Sequence, residues 1–241
     1  MLLVSPHLDD AVFSCGVLLS ACPGSCVITI FAGTPADQGL ATDWDRRCGF
    51  SSAGEAMEAR RREDATALGM LGADHEWLGF CDSQYEEAPD KHAVARALRG
   101  AIEARPHTTP RAVLLPLGLF HSDHRLAHAA GMLAVASLRP AAARSAAVRV
   151  IAYEDSPYRG MKGMLQRRLA ELGSDGIVAT PVDVPCDQGR RAAGSDHLEA
   201  KRAALAAYAS QLRAFGEGGY DDAWRPERFW ALESTLPAAD G

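Results

Sequence analysis

The sequence lacks the features that mark several common classes of protein. It has no apolar run near the length of a membrane-spanning helix, and no basic segment that would begin a signal peptide. Lysine and arginine number 25 against 31 acidic residues, a net charge of −6 that argues against a nucleic-acid-binding surface. We therefore expect a cytoplasmic protein that neither spans a membrane nor binds nucleic acid.

Cysteine is present but forms no recognisable cluster. The Cys22–Cys26 spacing has no second pair to complete a four-ligand zinc site. Buried free cysteines are common in proteins of reducing compartments. We expect all six to be reduced and structural: Cys15, Cys22, Cys26, Cys48, Cys81 and Cys186.

Three motifs of common α/β enzymes are also missing. The turn after the first apolar run reads Pro6-His7-Leu8-Asp9-Asp10, with no glycine before Gly16, so it does not match a dinucleotide-binding turn. Two carboxylates there would also repel a pyrophosphate. Neither a P-loop nor a Gly-x-Ser-x-Gly nucleophile elbow occurs.

Short apolar runs alternate with alanine- and leucine-rich stretches along the chain. The runs predict strands at 1–5, 26–32, 75–80, 112–117 and 148–154, and the stretches predict helices at 10–21, 53–72, 90–104, 124–138 and 161–172. This alternation predicts a Rossmann-like α/β fold with a mostly parallel central sheet and helices on both faces. We expect one domain over residues 1–241, with its core at 1–155. The remainder, 156–241, would complete the rim of the site and the helical layer.

The C-terminal part gives weaker patterns. We expect a strand at 178–185, one continuous helix at 197–215 that stops before Gly216, and a short edge strand at 229–232. On the predicted helix at 53–72, the run Arg60-Arg61-Arg62 is interpreted as a solvated helix face.

Imidazole and carboxylate side chains follow two of the predicted strands. His7, Asp9 and Asp10 come directly after the first strand, and His121-Ser122-Asp123-His124 follows the strand at 112–117. In open parallel sheets, ligands bind beyond the carboxyl ends of the strands, near the point where strand order reverses. We therefore expect both clusters to face one crevice.

Histidines and carboxylates are the ligands of catalytic zinc, which takes three protein ligands and a water. His7 and Asp10 lie three residues apart in a turn that enters a helix, so both side chains can converge on one ion. The spacing leaves the third ligand open among His121, His124 and His128. A simpler interpretation makes His7 a capping or core residue and the two aspartates an acidic helix start.

The two clusters resemble the motifs of the LmbE-like, or PIG-L, family of zinc-dependent N-deacetylases. The family pattern is Pro/Ala-His-Pro-Asp-Asp-Glu after the first strand and His-x-Asp-His after a later one. This chain reads Pro6-His7-Leu8-Asp9-Asp10-Ala11 and His121-Ser122-Asp123-His124. The resemblance covers residues 1 to about 155 well and the tail loosely. Leu8 and Ala11 replace a proline and a glutamate, a PHLDDA form that we associate with actinobacterial secondary metabolism.

The resemblance implies a role for each matched residue. His7, Asp10 and His124 would bind one Zn²⁺, or another divalent transition metal, per chain. Asp9 would be the general base that takes a proton from the attacking water. His128 would not be a ligand. It would either support the ligands from behind or lie on the helix surface.

Further roles follow from the same resemblance. His121 would stabilise the oxyanion or protonate the leaving amine, and Asp123 would orient a histidine. Arg60 and Asp82 are similar to residues with which the family contacts substrate.

The implied activity is hydrolysis of the N-acetyl group of a GlcNAc-type amino sugar. The substrate would be a small glycoconjugate, such as a secondary metabolite of antibiotic biosynthesis. Two alternatives stay open: an amidase of the same scaffold that cleaves a larger N-acyl or thiol-conjugate amide, and a non-catalytic Rossmann-like binding module. We expect the polar segments 33–55, 81–90 and 155–163 to form the rim and set specificity.

Overall fold

The computed structural model describes residues 1–105, 112–138, 148–184 and 195–235. Cys186 and the last residue of the strand predicted at 178–185 lie outside this set. Among the described helices, none combines the length and apolar character that crossing a bilayer requires.

A twisted sheet forms the centre of the described structure. Its order is β3-β2-β1-β4-β5-β7-β6, with β1 to β5 parallel and β7 antiparallel to both of its neighbours. The strands are β1 (Leu2–Ser5), β2 (Cys26–Thr29), β3 (Asp74–Trp77), β4 (Ala112–Pro116), β5 (Arg149–Tyr153), β6 (Ile177–Val182) and β7 (Phe229–Ser234). The parallel strands confirm the predicted Rossmann-like α/β class, and the strand order reverses between β1 and β4.

Helices cover both faces of the sheet. They are α1 (Asp10–Ala21), α2 (Asp43–Cys48), α3 (Ala53–Met70), α4 (Lys91–Glu103), α5 (Ser122–Ala136), α6 (Met164–Ser174), α7 (Ser195–Ala206) and α8 (Ala209–Phe215), followed by a 3₁₀ turn at Asp221–Trp224.

Successive side chains of β1 explain why helices are needed on both faces. They point alternately to the two sides of the sheet, and all of them are apolar up to Val4. Leu3 packs in a cluster with residues of α1, α3 and α7. Leu2 and Val4 pack in a second cluster with residues of α4 and α5. Both clusters are removed from water, which is the main favourable contribution to folding.

The structure corrects two predictions for the C-terminal part. The helix predicted at 197–215 is divided, because Tyr208 has non-helical backbone angles, is buried, and donates its hydroxyl hydrogen to Asp64 Oδ1. The strand predicted at the sheet's edge, β7, instead lies between β5 and β6, with Ala231 paired to Ile151 on one side and Thr180 on the other. The short helix α2 was not predicted.

The cysteines are mostly, but not all, as expected. Cys15, Cys26, Cys48 and Cys81 are free thiols. Cys22 is disulfide-bonded, so the expectation of reduced cysteines is wrong there. Cys22 caps the C-terminal end of α1 and is only partly buried, whereas the first three free thiols are buried away from the surface.

Candidate metal and catalytic site

The two polar clusters meet where the strand order reverses. β1 and β4 are hydrogen-bonded neighbours, so the segments after them leave the sheet side by side. Ligand atoms of His7, Asp10 and His124 all lie within 4.8 Å of one another. The structure therefore brings together the three residues that the family resemblance implies as metal ligands.

The turn from β1 into α1 is held by its own hydrogen bonds. Ser5 Oγ donates to the carbonyl of His7 (2.7 Å) and accepts from the backbone N–H of Ala11 (3.1 Å). Asp10 Oδ2 accepts from the backbone N–H of His7 (3.0 Å) and lies 3.2 Å from its ring Nδ1. The first turn of α1 and the preceding loop are thus tied into one unit that presents His7 and Asp10 to the crevice.

His124 is almost fully enclosed, with 1% of its surface exposed. Its Nε2 is 3.1 Å from Asp10 Oδ2, but the geometry is not that of a hydrogen bond, and this nitrogen has no hydrogen-bond partner in the described structure. Its Nδ1 lies 2.6 Å from Oδ1 of the buried Asp155. A proton held on Nδ1 by the carboxylate leaves Nε2 with a free lone pair, which is the arrangement of a metal-ligating histidine.

Asp155 was missed by the sequence analysis, although it follows the carboxyl end of β5 as the other site residues follow β1 and β4. Its second oxygen accepts from the backbone N–H groups of Gly118 (2.9 Å) and Leu119 (3.0 Å). Only its position after a strand could have suggested it, because neither of its neighbours repeats a motif.

Asp123 is predicted to orient a histidine, and the histidine nearest to its carboxylate is His7. Asp123 Oδ2 lies 3.1 Å from His7 Nε2 and accepts from the backbone N–H of Ser83 (3.1 Å). His121 is farther, at 4.0 Å, and caps α5 by accepting the backbone N–H of Asp123 on its Nδ1. His7, His121 and Asp123 form a second group close enough to hold an ion, which shares His7 with the first.

Asp9 lies next to these groups, and its carboxylate is not used in a hydrogen bond to them. It lines the cavity described below and has no side-chain hydrogen bond to any described residue. Burial, and after it the negative charge of Asp10, raises the pKa of Asp9 to about 7. A carboxylate in this state can accept a proton near neutral pH, which is what a general base requires.

The charges around the cluster oppose the effect of burial. Burial alone would lower the pKa of His7, but Asp82, Asp10 and Asp123 together raise it well above its ordinary value. For Asp10, burial favours the neutral acid, and the two neighbouring imidazoles reverse this and lower its pKa. The site therefore carries an excess of negative charge that a cation would neutralise.

His128 lies outside both groups of potential ligands. Its Nδ1 is 2.8 Å from the carbonyl of Pro116, and burial lowers its pKa to about 4. Because it is buried, the helix-surface position considered for it is wrong. It ties α5 to the end of β4.

Arg60 is not part of a solvated face, so that interpretation is wrong for this residue. It is 6% exposed, pairs with Asp45 Oδ1 at 3.1 Å, and lines the cavity. α2 supplies the buried Asp45, and this short helix was not visible in the sequence pattern. Arg62, by contrast, is exposed.

Asp82 also lines the cavity, with its Oδ2 3.8 Å from His7 Nε2. Its carboxylate accepts from the backbone and side-chain amides of Gln84 (3.0 and 2.8 Å). Both residues suggested for substrate contact therefore face the same space.

The cavity has a volume of about 360 Å³ and opens beside the candidate ligands. Each of the three segments expected to form the rim contributes to its wall, and so does the C-terminal part. The lining residues are His7, Leu8, Asp9, Asp10, Phe31, Trp44, Met57, Arg60, Asp82, Gln84, His121, Pro157, Tyr158, Tyr208, Gln211 and Phe215. Carboxylates and imidazoles form part of this lining, and most of the other residues are aromatic or aliphatic.

Known proteins resemble this chain in sequence and in fold. A 2'-N-acetylparomamine deacetylase of Streptomyces fradiae is 32% identical over 180 residues, which cover 67% of this chain and 58% of that protein. The chain thus matches somewhat over half the length of this curated relative.

Two solved structures share the fold over the whole chain. A triple mutant of a deacetylase of the teicoplanin biosynthetic pathway has a TM-score of 0.75 at 23% identity and covers 100% of this chain and 99% of its own. A zinc-inhibited form of a teicoplanin deacetylase has a TM-score of 0.74 at 22% identity with the same coverage. The family described as "PIG-L: GlcNAc-PI de-N-acetylase" matches residues 2–135, more than half of the chain. The chain therefore belongs to the PIG-L family of deacetylases.

Proposed function

We propose that this protein is a metal-dependent hydrolase that removes the N-acetyl group from an amino sugar in a small glycoconjugate of antibiotic biosynthesis. The observation that carries the proposal is the convergence of His7, Asp10 and His124 beside the uncommitted carboxylate of Asp9. Family membership and the acetylated substrate named for the Streptomyces fradiae relative support the same activity.

The residues present fit a zinc ion. Two imidazoles and one carboxylate are a ligand set typical of catalytic zinc, which keeps one position open. Nε2 of His124 is buried, faces Asp10 and has no hydrogen-bond partner among the described residues, as expected of an atom that binds a cation. A bound zinc would polarise the acetyl carbonyl and lower the pKa of a water molecule.

The chain's own side chains would then handle the protons. Asp9 is the group that accepts a proton from the attacking water, since its carboxylate lines the cavity beside the candidate ligands and makes no hydrogen bond to a described residue. His121 lines the same cavity and is one third exposed, so it can reach the oxyanion or the leaving nitrogen. Asp123, hydrogen-bonded to His7, holds that imidazole in place. Asp82 and Arg60 would contact hydroxyl groups of the sugar.

A second candidate is an amidase that removes a longer acyl group. The aromatic and aliphatic part of the cavity wall, with Trp44, Met57 and Phe215, favours it. The non-catalytic binding module has no such support, since it leaves Asp9 and His124 Nε2 without a role.

The cytoplasmic location stays a prediction, and the disulfide at Cys22 would be unusual in a reducing compartment.

The experiment is a hydrolysis assay on an acyl-length series. Purified protein loaded with zinc is incubated with amino sugars that carry N-acetyl, N-butanoyl or N-octanoyl groups, and the released amine is quantified. We expect the N-acetyl compounds to be the best substrates, with turnover abolished by a chelator and restored by zinc. Preference for N-octanoyl would replace the proposal with the amidase, and no release from any compound would refute both.

A further inference from the structure

Phe120 has a backbone conformation that its side chain disfavours. Its φ is +51°, and it is the one non-glycine residue in the described structure with positive φ. The backbone N–H of His121 donates to the carbonyl of Leu119 at 2.6 Å, so Phe120 is the centre of a three-residue γ-turn. Turns of this type with positive φ are rare and strained, and glycine or asparagine would occupy the position more easily.

The neighbours of Phe120 explain the turn but not the choice of residue. Leu119 is fully buried, and His121 caps α5 at the site, so the chain must reverse between them. Phe120 itself is 55% exposed. The strained backbone opposes folding, and strained backbone positions cluster at functional sites.

The ring of Phe120 lies beside the candidate active site. It packs on Tyr158 with ring centroids 5.5 Å apart, and Tyr158 in turn stacks on His121 (6.2 Å, interplanar angle 20°). Tyr158 lines the cavity, whereas Phe120 does not. The two rings therefore form a continuous aromatic surface, which we call the mouth platform, that extends from Tyr158 in the cavity wall to the exposed ring of Phe120.

We propose that the mouth platform, Phe120 with Tyr158, is a binding subsite for an apolar aglycone attached to the acylated amino sugar. The inference rests on the proposed function. The acetyl group would lie at the cluster of His7, Asp10 and His124. A part of the substrate that extends from there along His121 would meet Tyr158 and then Phe120, because these three rings are neighbours. The Phe120 ring offers no conventional hydrogen-bonding group, so it selects for a planar or alkyl surface.

The test compares two ligands that differ only in the aglycone, the phenyl and methyl glycosides of N-acetylglucosamine. Phe120→Gly removes the ring and keeps the turn, since glycine adopts positive φ without strain. Dissociation constants are measured by calorimetry with zinc-loaded protein in an Asp9→Asn background, and kcat/KM is measured in the parent background. We expect the preference for the phenyl glycoside to fall on the order of fivefold in Phe120→Gly, a typical effect for one aromatic contact.

Two further variants make the result specific. Phe120→Tyr retains an aromatic ring and is expected to retain the preference. Met70→Ala removes a side chain of equal exposure (56%), on α3 away from the cavity, and is expected to leave the preference unchanged. The melting temperature of Phe120→Gly should not fall, because the substitution relieves strain.

The outcomes separate this inference from the proposed function. An unchanged phenyl preference in Phe120→Gly, or equal weakening of both glycosides, would overturn the subsite even if the protein releases acetate. So would the absence of any phenyl preference in the parent protein. A phenyl preference that depends on Phe120, found in a protein that releases no acetate, would retain the subsite and refute the deacetylase.

Discussion

The carboxylate of Asp155 holds His124 through one oxygen and the loop before α5 through the other. Oδ1 lies 2.6 Å from His124 Nδ1, and Oδ2 accepts the backbone N–H groups of Gly118 and Leu119. Asp155 and its three partners are all buried. One side chain after β5 therefore fixes both the ring orientation of a candidate metal ligand and the backbone that carries it.

Asp155→Asn is expected to weaken metal binding. The amide cannot satisfy the imidazole N–H and both backbone donors as the carboxylate does, so His124 loses its fixed tautomer. Removing such a supporting partner typically lowers metal affinity by about 10- to 100-fold. Competition with a chromophoric chelator measures the effect. Glu154→Gln, which alters the adjacent carboxylate bonded to Trp230 Nε1, is the matched control, and equal affinities in the two variants would contradict the role of Asp155.

Asp9→Asn should separate metal binding from turnover. Asp9 lies outside the group of three potential ligands, so zinc content should stay at the parent level. An amide cannot accept the proton of the attacking water, and kcat should fall by about 10²- to 10⁴-fold. Metal analysis and steady-state kinetics on one preparation give both values. Near-parent turnover in Asp9→Asn would assign the base to another residue.

The two histidines of α5 should respond differently to truncation. His124→Ala removes a candidate ligand and should abolish stoichiometric zinc binding. His128→Ala should keep the metal but lower the melting temperature, because the carbonyl of Pro116 loses its imidazole partner in a buried setting. Mass spectrometry of the native proteins and thermal unfolding distinguish the two cases. Zinc loss in His128→Ala without loss of folding would place it among the ligands.

Local sequence patterns predicted the parallel part of the fold and the two polar clusters that meet in the candidate site. Continuous apolar runs such as β1 are buried on both faces, and their carboxyl ends converge, so the clusters after β1 and β4 could be expected to meet. What holds His124 in position, however, is Asp155, and a lone aspartate gives no spacing from which its partner 31 residues away can be inferred. The γ-turn at Phe120 is equally invisible, because phenylalanine is not a residue that predicts positive φ.

The errors in the C-terminal part have one physical cause, which is long-range pairing. The break between α7 and α8 depends on Tyr208, whose hydroxyl bonds to Asp64, 144 residues earlier in the chain. β7 inserts beside β5 although about 75 residues separate them, and nothing in a four-residue apolar run states which strands it will join. Local helix and strand propensities could not reveal either of these long-range contacts.

Asp64 is a buried carboxyl group away from the candidate ligands. It is 1% exposed and accepts from Trp77 Nε1 and the Tyr208 hydroxyl, each at 2.8 Å. Burial raises the pKa of Asp64 from 3.8 to about 7, and the two hydrogen bonds offset this only in part. Because the folded-state pKa is the higher one, the folded protein binds the proton more tightly. The contribution of Asp64 to folding stability is therefore complete below about pH 4 and is lost as the pH rises through 7.

Asp64→Asn should remove this pH dependence. Groups at the candidate metal site are present in both proteins, and Asp9, whose charge adds to the effect of burial on the pKa of Asp64, is unchanged in the variant. As the pH rises from about 5 to 7, the free energy of unfolding of Asp64→Asn should increase relative to that of the parent by on the order of 2 kcal/mol. Urea unfolding at the two pH values measures it. Asp74→Asn, at an exposed position on β3, should show no such change, and parallel pH profiles for Asp64→Asn and the parent would show that Asp64 is ionised throughout.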